Sequence, residues 1–205
     1  MRNRLLVVFA VAATVGIGAA SIGAQHRFDT TSVQSEIAQV AAQYPAIVAE
    51  VNGAEISGHE LAIREYLVRQ NTPALNVKDA REVAIQSLIE ERVLLEAATR
   101  EKLWVSEAEV LSAIAELQAM AAKDQELRDA FRATAKQLGV PEEAVTNDKR
   151  VIGLYQQAFT LGRIRDHIAD SLPAEKRMDS TAIKEAIDKH VASQRPEVRM
   201  RIQLR

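Results

Sequence analysis

Between Asn52 and Glu60 the chain commits itself first to a hairpin and then to a helix. Ile47, Ala49 and Val51 alternate with Val48 and Glu50, Asn52-Gly53 follows, and Ala54-Glu55-Ile56 resumes the apolar pattern. A type I′ turn needs positive φ at both central positions, and Asn-Gly supplies it at least cost. Ser57-Gly58-His59-Glu60 is then an S-x-x-E capping box, with Ile56 and Leu61 placed to close a hydrophobic staple across it. The spacing predicts a hairpin over 46–56 and a helix from Gly58 to about Gln70, stopped by Asn71-Thr72-Pro73.

The same punctuation continues downstream. Asp79-Ala80-Arg81-Glu82 offers a cap for a long helix reaching about Leu103, with an apolar stripe of Ala84, Leu88, Val93, Leu95 and Ala98. Ser106-Glu107-Ala108-Glu109 repeats the capping box, Val105 and Val110 repeat the staple, and Ile114 and Leu117 continue the stripe. A further helix is expected from about Asp124 to Leu138, with Gly139 just past its end. Pro141 suits the first turn of the next, which is interruptible at Thr146-Asn147 and ends at Leu172-Pro173. Ser180–Ala192 is the last helix. Val198, Met200, Ile202 and Leu204 then alternate with Arg199, Arg201, Gln203 and Arg205, a period-two strand. With 47% apolar residues, only 4% aromatic and eight glycines, the chain reads as mainly helical.

Leu5 to Ala24 carries no charge and follows Arg2 and Arg4. Its apolar part and small-residue tail have the layout of a secretory signal, and the whole run is long enough to span a bilayer. Cleavage and retention as an anchor both remain open, and both export everything after Gln25. The organisation expected is 1–24 signal peptide or membrane anchor, 25–45 spacer or short helix, and 46–205 folded domain. Without the first segment the net charge moves from -2 to -4, which argues against a nucleic-acid partner.

The absence of cysteine excludes disulfides, thiolate metal sites and cysteine nucleophiles. His26, His59, His167 and His190 fall on different elements without ligand spacing and read as solvated or core residues. The acidic pairs Glu90/Glu91, Glu107/Glu109 and Glu142/Glu143 lie on helices or in capping turns, where carboxylates favour the helix N-terminus. No phosphate loop, nucleophile elbow or calcium loop is present. Catalytic, cofactor and metal residues are therefore expected to be none. Arg199, Arg201 and Arg205 form a positive strand face that reads as solvated, or as a contact for acidic lipid headgroups. Function is left to apolar surface. Phe131 and Phe159 fall on helical stripes and read as core, while Met120 and Met178 are adaptable packers. Trp104, in the short joint between two helices, is the candidate client-binding residue, with a joint-sealing core tryptophan as the equal alternative.

The order of these elements resembles a known family. Ala46–Ser57 is similar to the opening hairpin of the SurA/PrsA-like extracytoplasmic chaperones. Ala84–Ala98, with its Leu-Ile, acidic, basic, Leu-Leu order, resembles that family's central helix, and Val105–Val110 its next helix start. Gln137–Glu143 is similar to its Leu-Gly turn and acidic pair, and Asp179–His190 with Glu197–Leu204 to the helix and strand that lead into a parvulin-type prolyl isomerase domain. The resemblance covers roughly 46–205, and that isomerase domain finds no room in the chain. It implies a mainly α, multi-helix SurA-N-like domain with a small antiparallel sheet of hairpin 46–56 and strand 197–204. Pairing with the hairpin would bury Val198, Met200, Ile202 and Leu204; a hanging first strand of a lost domain is the other reading. The function implied is non-catalytic binding of unfolded or extended polypeptide in the periplasm or cell envelope, with membrane contact through residues 5–24 if uncleaved. A truncated or diverged prolyl isomerase and an anchored scaffold for one partner are the alternatives.

Overall fold

The computed structural model describes residues 30–202. The export segment 1–24, His26, Leu204 and Arg205 lie outside the described residues. Strand β1 (Ile47–Val51) and strand β2 (Ala54–Ser57) form the expected hairpin. Asn52 and Gly53 both take positive φ, 50° and 85°, as a type I′ turn requires. The register slips between Ile47 and Ala49, so that Val48 and Ala49 are both fully buried. Such a bulge turns two consecutive side chains toward one core.

Helix α1 (Thr30–Ala41) occupies the stretch expected as spacer or short helix, and its Ile37 is buried. Helix α2 (Gly58–Asn71) starts at the predicted residue with both halves of the Ser57/Glu60 box formed. Ile56 and Leu61, the staple pair, are fully buried in one cluster. A cap contributes about 1 kcal/mol and each such side chain about 2, so the staple outweighs the cap. Burial opposes ionisation of Glu60, yet the Ser57 N–H and the Arg92 guanidinium outweigh it and hold the carboxyl below its usual range.

Helix α3 (Val77–Arg100) departs from expectation at both ends. Its cap is Asn76, whose Oδ1 accepts from the Asp79 N–H at 2.9 Å; Asp79 sits in the first turn and is not the cap. Leu94 rather than Leu95 is the fully buried member of its stripe. Leu103 lies outside the helix because Lys102 takes φ 57° and turns the chain back. The Leu103 N–H donates to the Ala98 carbonyl at 2.8 Å and the Lys102 N–H to Thr99 at 3.3 Å, a Schellman closure. Lysine in this conformation carries a steric cost that glycine escapes. Lys102→Gly is therefore expected to raise stability by about 1 kcal/mol, read as a higher urea midpoint at unchanged slope.

The remaining elements are α4 (Glu107–Ala121), α5 (Gln125–Leu138), a 3-10 turn over Glu142–Asn147, α6 (Lys149–Asp170), a short 3-10 turn over Ala174–Lys176, α7 (Ser180–Ser193) and β3 (Val198–Met200). Gly139 follows α5 with φ 67°, and Asp148 separates the turn at 142–147 from α6. Strand β3 pairs antiparallel with β1, giving the order β2-β1-β3. The sheet is thus completed as expected, but its burial is not. Val198 and Met200 stay 38% and 40% exposed, because an edge strand overhangs a core that Ala49, Val51 and Ile56 already fill. Ile202 packs against that core in part.

The described chain divides into two compact units, one containing 105–160 and the other containing 35–104 and 161–202. In the first, Val105, Val110, Ile114 and Ile152 pack with Tyr155 and Phe159, and Ala135, Val145 and Val151 pack with Phe131. The second holds the sheet, with α3 supplying Leu88, Ile89 and Val93 to one cluster and Leu94 and Ala98 to another. Among the described residues no helix is long and apolar enough to cross a membrane.

Candidate functional site

The central helix shows first what its charged residues do. Glu91 takes a two-pronged bond from Arg64 of α2, at 2.6 and 2.8 Å. Glu90 accepts from Arg165 of α6 at 2.9 Å, and Arg92 reaches Glu60 at the start of α2. The three consecutive charges therefore fasten α3 to its neighbours. Glu90 and Glu91 point to different partners, one on α6 and the other on α2.

Glu65 of α2 is 1% exposed. Its carboxylate accepts from the Tyr44 hydroxyl and lies 3.5 Å from Arg81 Nε, while the Arg81 guanidinium stands 5.2 Å above the Tyr44 ring. Burial, and after it the hydrogen bond to Glu65 and the Glu65 charge, push the Tyr44 phenol up to about 12. This closed network was not foreseen. Its signal lay in the helix periodicity: Glu65 falls four residues after Leu61, on the apolar stripe.

His167 and His190 do lie on different helices, α6 and α7, but both reach one carboxylate. Their Nε2 atoms stand 3.6 and 3.7 Å from the two oxygens of Glu101, at the end of α3. Among the described residues no group of His, Cys, Asp or Glu is arranged to hold a metal ion. The C-terminal arginines also differ from a free cationic face: Arg199 pairs with Glu197 at 2.6 Å and Arg201 with Glu50 at 2.9 Å.

Trp104 stands in the joint after α3 and is 39% exposed, so that it shows at the surface while more than half covered. In the other unit, the next residue, Val105, is buried and held by its backbone: its N–H donates to Thr160 Oγ1 at 3.0 Å and its carbonyl accepts from Gln156 at 2.7 Å. That clamp orients Ser106 for its capping box with Glu109.

The open apolar surface of the unit containing 105–160 lies elsewhere, on α4. Val110, Ile114, Leu117 and Ala121 bury one stripe. Leu111, Ala115, Gln118 and Ala122 recur at spacings of four, three and four on the adjacent face, and all are exposed. Leu111 is 37% exposed, and Met120 on the far side of the helix 41%. This second strip runs into a cleft of about 390 Å³ floored by Ala121, Ala122, Phe131 and Thr146. Gln118 bonds Thr146 across it at 3.1 Å. Arg128 at its wall donates to the Ala121 and Ala122 carbonyls at 3.0 and 2.8 Å and so closes the end of α4. Glu142 and Glu143 stand at its mouth. Phe131, read as core, serves both the core and this cleft. Apolar floor and polar rim suit contact with aliphatic side chains, and no nucleophile with a partnering base lies among the lining residues.

Over residues 2–159 the chain matches the family model described as SurA-like N-terminal domain. No curated protein and no solved structure matches it. The matched span contains the hairpin, both capping boxes, the charged central helix and the α4 cleft; the second half of α6, α7 and β3 lie beyond it. The family is of chaperone type, extracytoplasmic, and associated with binding unfolded polypeptide. The order of hairpin, boxed helices and charged central helix thus has its explanation in descent: the chain belongs to the SurA-like N-terminal domain family.

Proposed function

We propose that this chain is a non-catalytic holding chaperone of the cell envelope, exported by its N-terminal segment, that binds unfolded or extended polypeptide. The observation that carries the reading is the exposed strip of α4 leading into an open cleft floored by Ala121, Ala122, Phe131 and Thr146, within a family of chaperone type. Contiguous apolar surface rimmed by charge gives low-specificity contact while keeping the domain soluble. Trp104 is a second contact in this proposal, being exposed and amphipathic.

The test is suppression of aggregation of a chemically unfolded protein, with prolyl isomerisation measured in parallel. The expected result is slower aggregation at equimolar chain and an isomerisation rate at background. Leu111→Asp is expected to weaken binding of a reduced, alkylated polypeptide by about 5-fold, since an exposed anchor of this kind contributes on the order of 1 kcal/mol. The chain's single tryptophan should shift its emission on binding. Unimpeded aggregation overturns the reading, and isomerisation above background overturns its non-catalytic part.

A further inference from the structure

The charges around the α4 strip say which polypeptides it should favour. Helix α4 carries Glu107, Glu109 and Glu116 and no basic residue, and residues 105–160 hold nine acidic against six basic side chains. Glu107 is exposed at the head of the strip, on the face of Leu111. At the other end, Glu143 is exposed at the mouth of the cleft that Ala122 floors. The neighbouring Glu142 lies 3.4 Å from Arg132, and the cation lining the cleft, Arg128, is engaged by the carbonyls that end α4. Glu107 and Glu143 are therefore the acids that frame the track.

We propose that the α4 track takes extended client segments whose aliphatic core is bracketed by Lys or Arg at both ends, six or seven residues apart. The inference rests on the polypeptide-binding reading and deepens it by naming the client class. The spacing follows from helix geometry. Glu107 to Ala122 spans fifteen steps of α-helical rise, roughly 22 Å. An extended strand covers that length in about seven residues. The client's aliphatic side chains would lie along Leu111 and Ala115, past Gln118 and onto the Ala122 and Phe131 side of the cleft, and each basic end meets a carboxylate. Acid-bracketed segments meet like charge at both ends, which selects against them.

The test uses the full chain and four labelled synthetic peptides sharing the core Leu-Val-Ala-Leu-Val. One has lysine at both ends, one glutamate at both ends, one serine at both ends, and one has both lysines at the same end. In fluorescence anisotropy at low salt, the Lys-bracketed peptide should bind about 5-fold more tightly than the Ser-bracketed one, and the Glu-bracketed peptide weaker by a similar factor. The advantage should vanish near 0.5 M salt, where exposed charges are screened. The double variant Glu107→Lys, Glu143→Lys, with its helical content checked by circular dichroism, should reverse the order. Affinity indifferent to the sign of the flanking charge overturns the inference and leaves the chaperone reading standing. Equal binding of the spaced and crowded lysine peptides overturns the bracketing. Binding of none of the four overturns the polypeptide-binding reading itself.

Discussion

Gly58→Ala is expected to lower stability by about 3 kcal/mol, although glycine to alanine within a helix ordinarily raises it by up to about 1. The sign is decided by space. A Cβ at position 58 would stand 2.4 Å from the Pro45 carbonyl oxygen and 2.7 Å from Tyr44 Cβ. The first of these is backbone, and it cannot swing aside as a side-chain tip can. The same carbonyl region is where the Gly58 N–H donates to Ala46 at 3.1 Å, so relief of the clash strains a hydrogen bond as well. Urea unfolding of the variant should show a lower midpoint with unchanged slope. A neutral or stabilising result would mean that the Tyr44-Pro45 segment yields, and that the close approach does not lock β1 to the start of α2.

The second large effect is expected at Glu65. Removing one partner of a buried ion pair leaves the others without compensation, and Glu65→Ala should cost about 3 kcal/mol. Glu65→Gln keeps the shape and an acceptor for Tyr44, and should cost about 1. The phenol supplies a second readout. Because the folded state holds the Tyr44 proton to about 12, against 10 in an unfolded chain, Tyr44 contributes stability that is full below pH 10 and is lost as pH rises toward 12. In Glu65→Gln the neighbouring charge is gone while the burial remains. The highest tyrosine titration, followed by absorbance at 295 nm, should move only part of the way back. No movement would separate Tyr44 from Glu65 energetically.

Local chemistry was legible in the chain and distant partnership was not. The Asn52-Gly53 turn, both capping boxes and Gly139 could be placed because a positive φ or an orphan N–H is a demand met within a few residues. The cap expected at Asp79 sits at Asn76, because both residue types cap well and which one precedes the first turn depends on packing of α3. Glu65 carries no local signal of its partners, since a carboxylate on an apolar stripe becomes intelligible only with Tyr44 and Arg81 beside it. His167 and His190 meet over a carboxylate supplied by a third helix. The second strip of α4 had a visible sign: Leu111, Ala115 and Ala122 lie outside the stripe of Val110, Ile114, Leu117 and Ala121, so the apolar arc is wider than one core-facing stripe. The change of unit after Thr160 left no mark, because α6 runs through it without a break.

Asn52 has a consequence in time as well as in space. Its backbone N–H donates to the Glu197 carbonyl at 2.9 Å and its side-chain oxygen accepts from the Glu197 N–H at 2.7 Å, so one turn residue sets the register of a strand 145 positions later. The central strand of the sheet is therefore the first to be synthesised, and its outer partner arrives among the last residues described. Until Val198–Met200 reach it, that side of β1 is an open row of hydrogen-bonding groups, and closing so long a loop is slow compared with forming the helices. Among the described residues, this sheet therefore stays two-stranded until nearly all of the chain before β3 has been made.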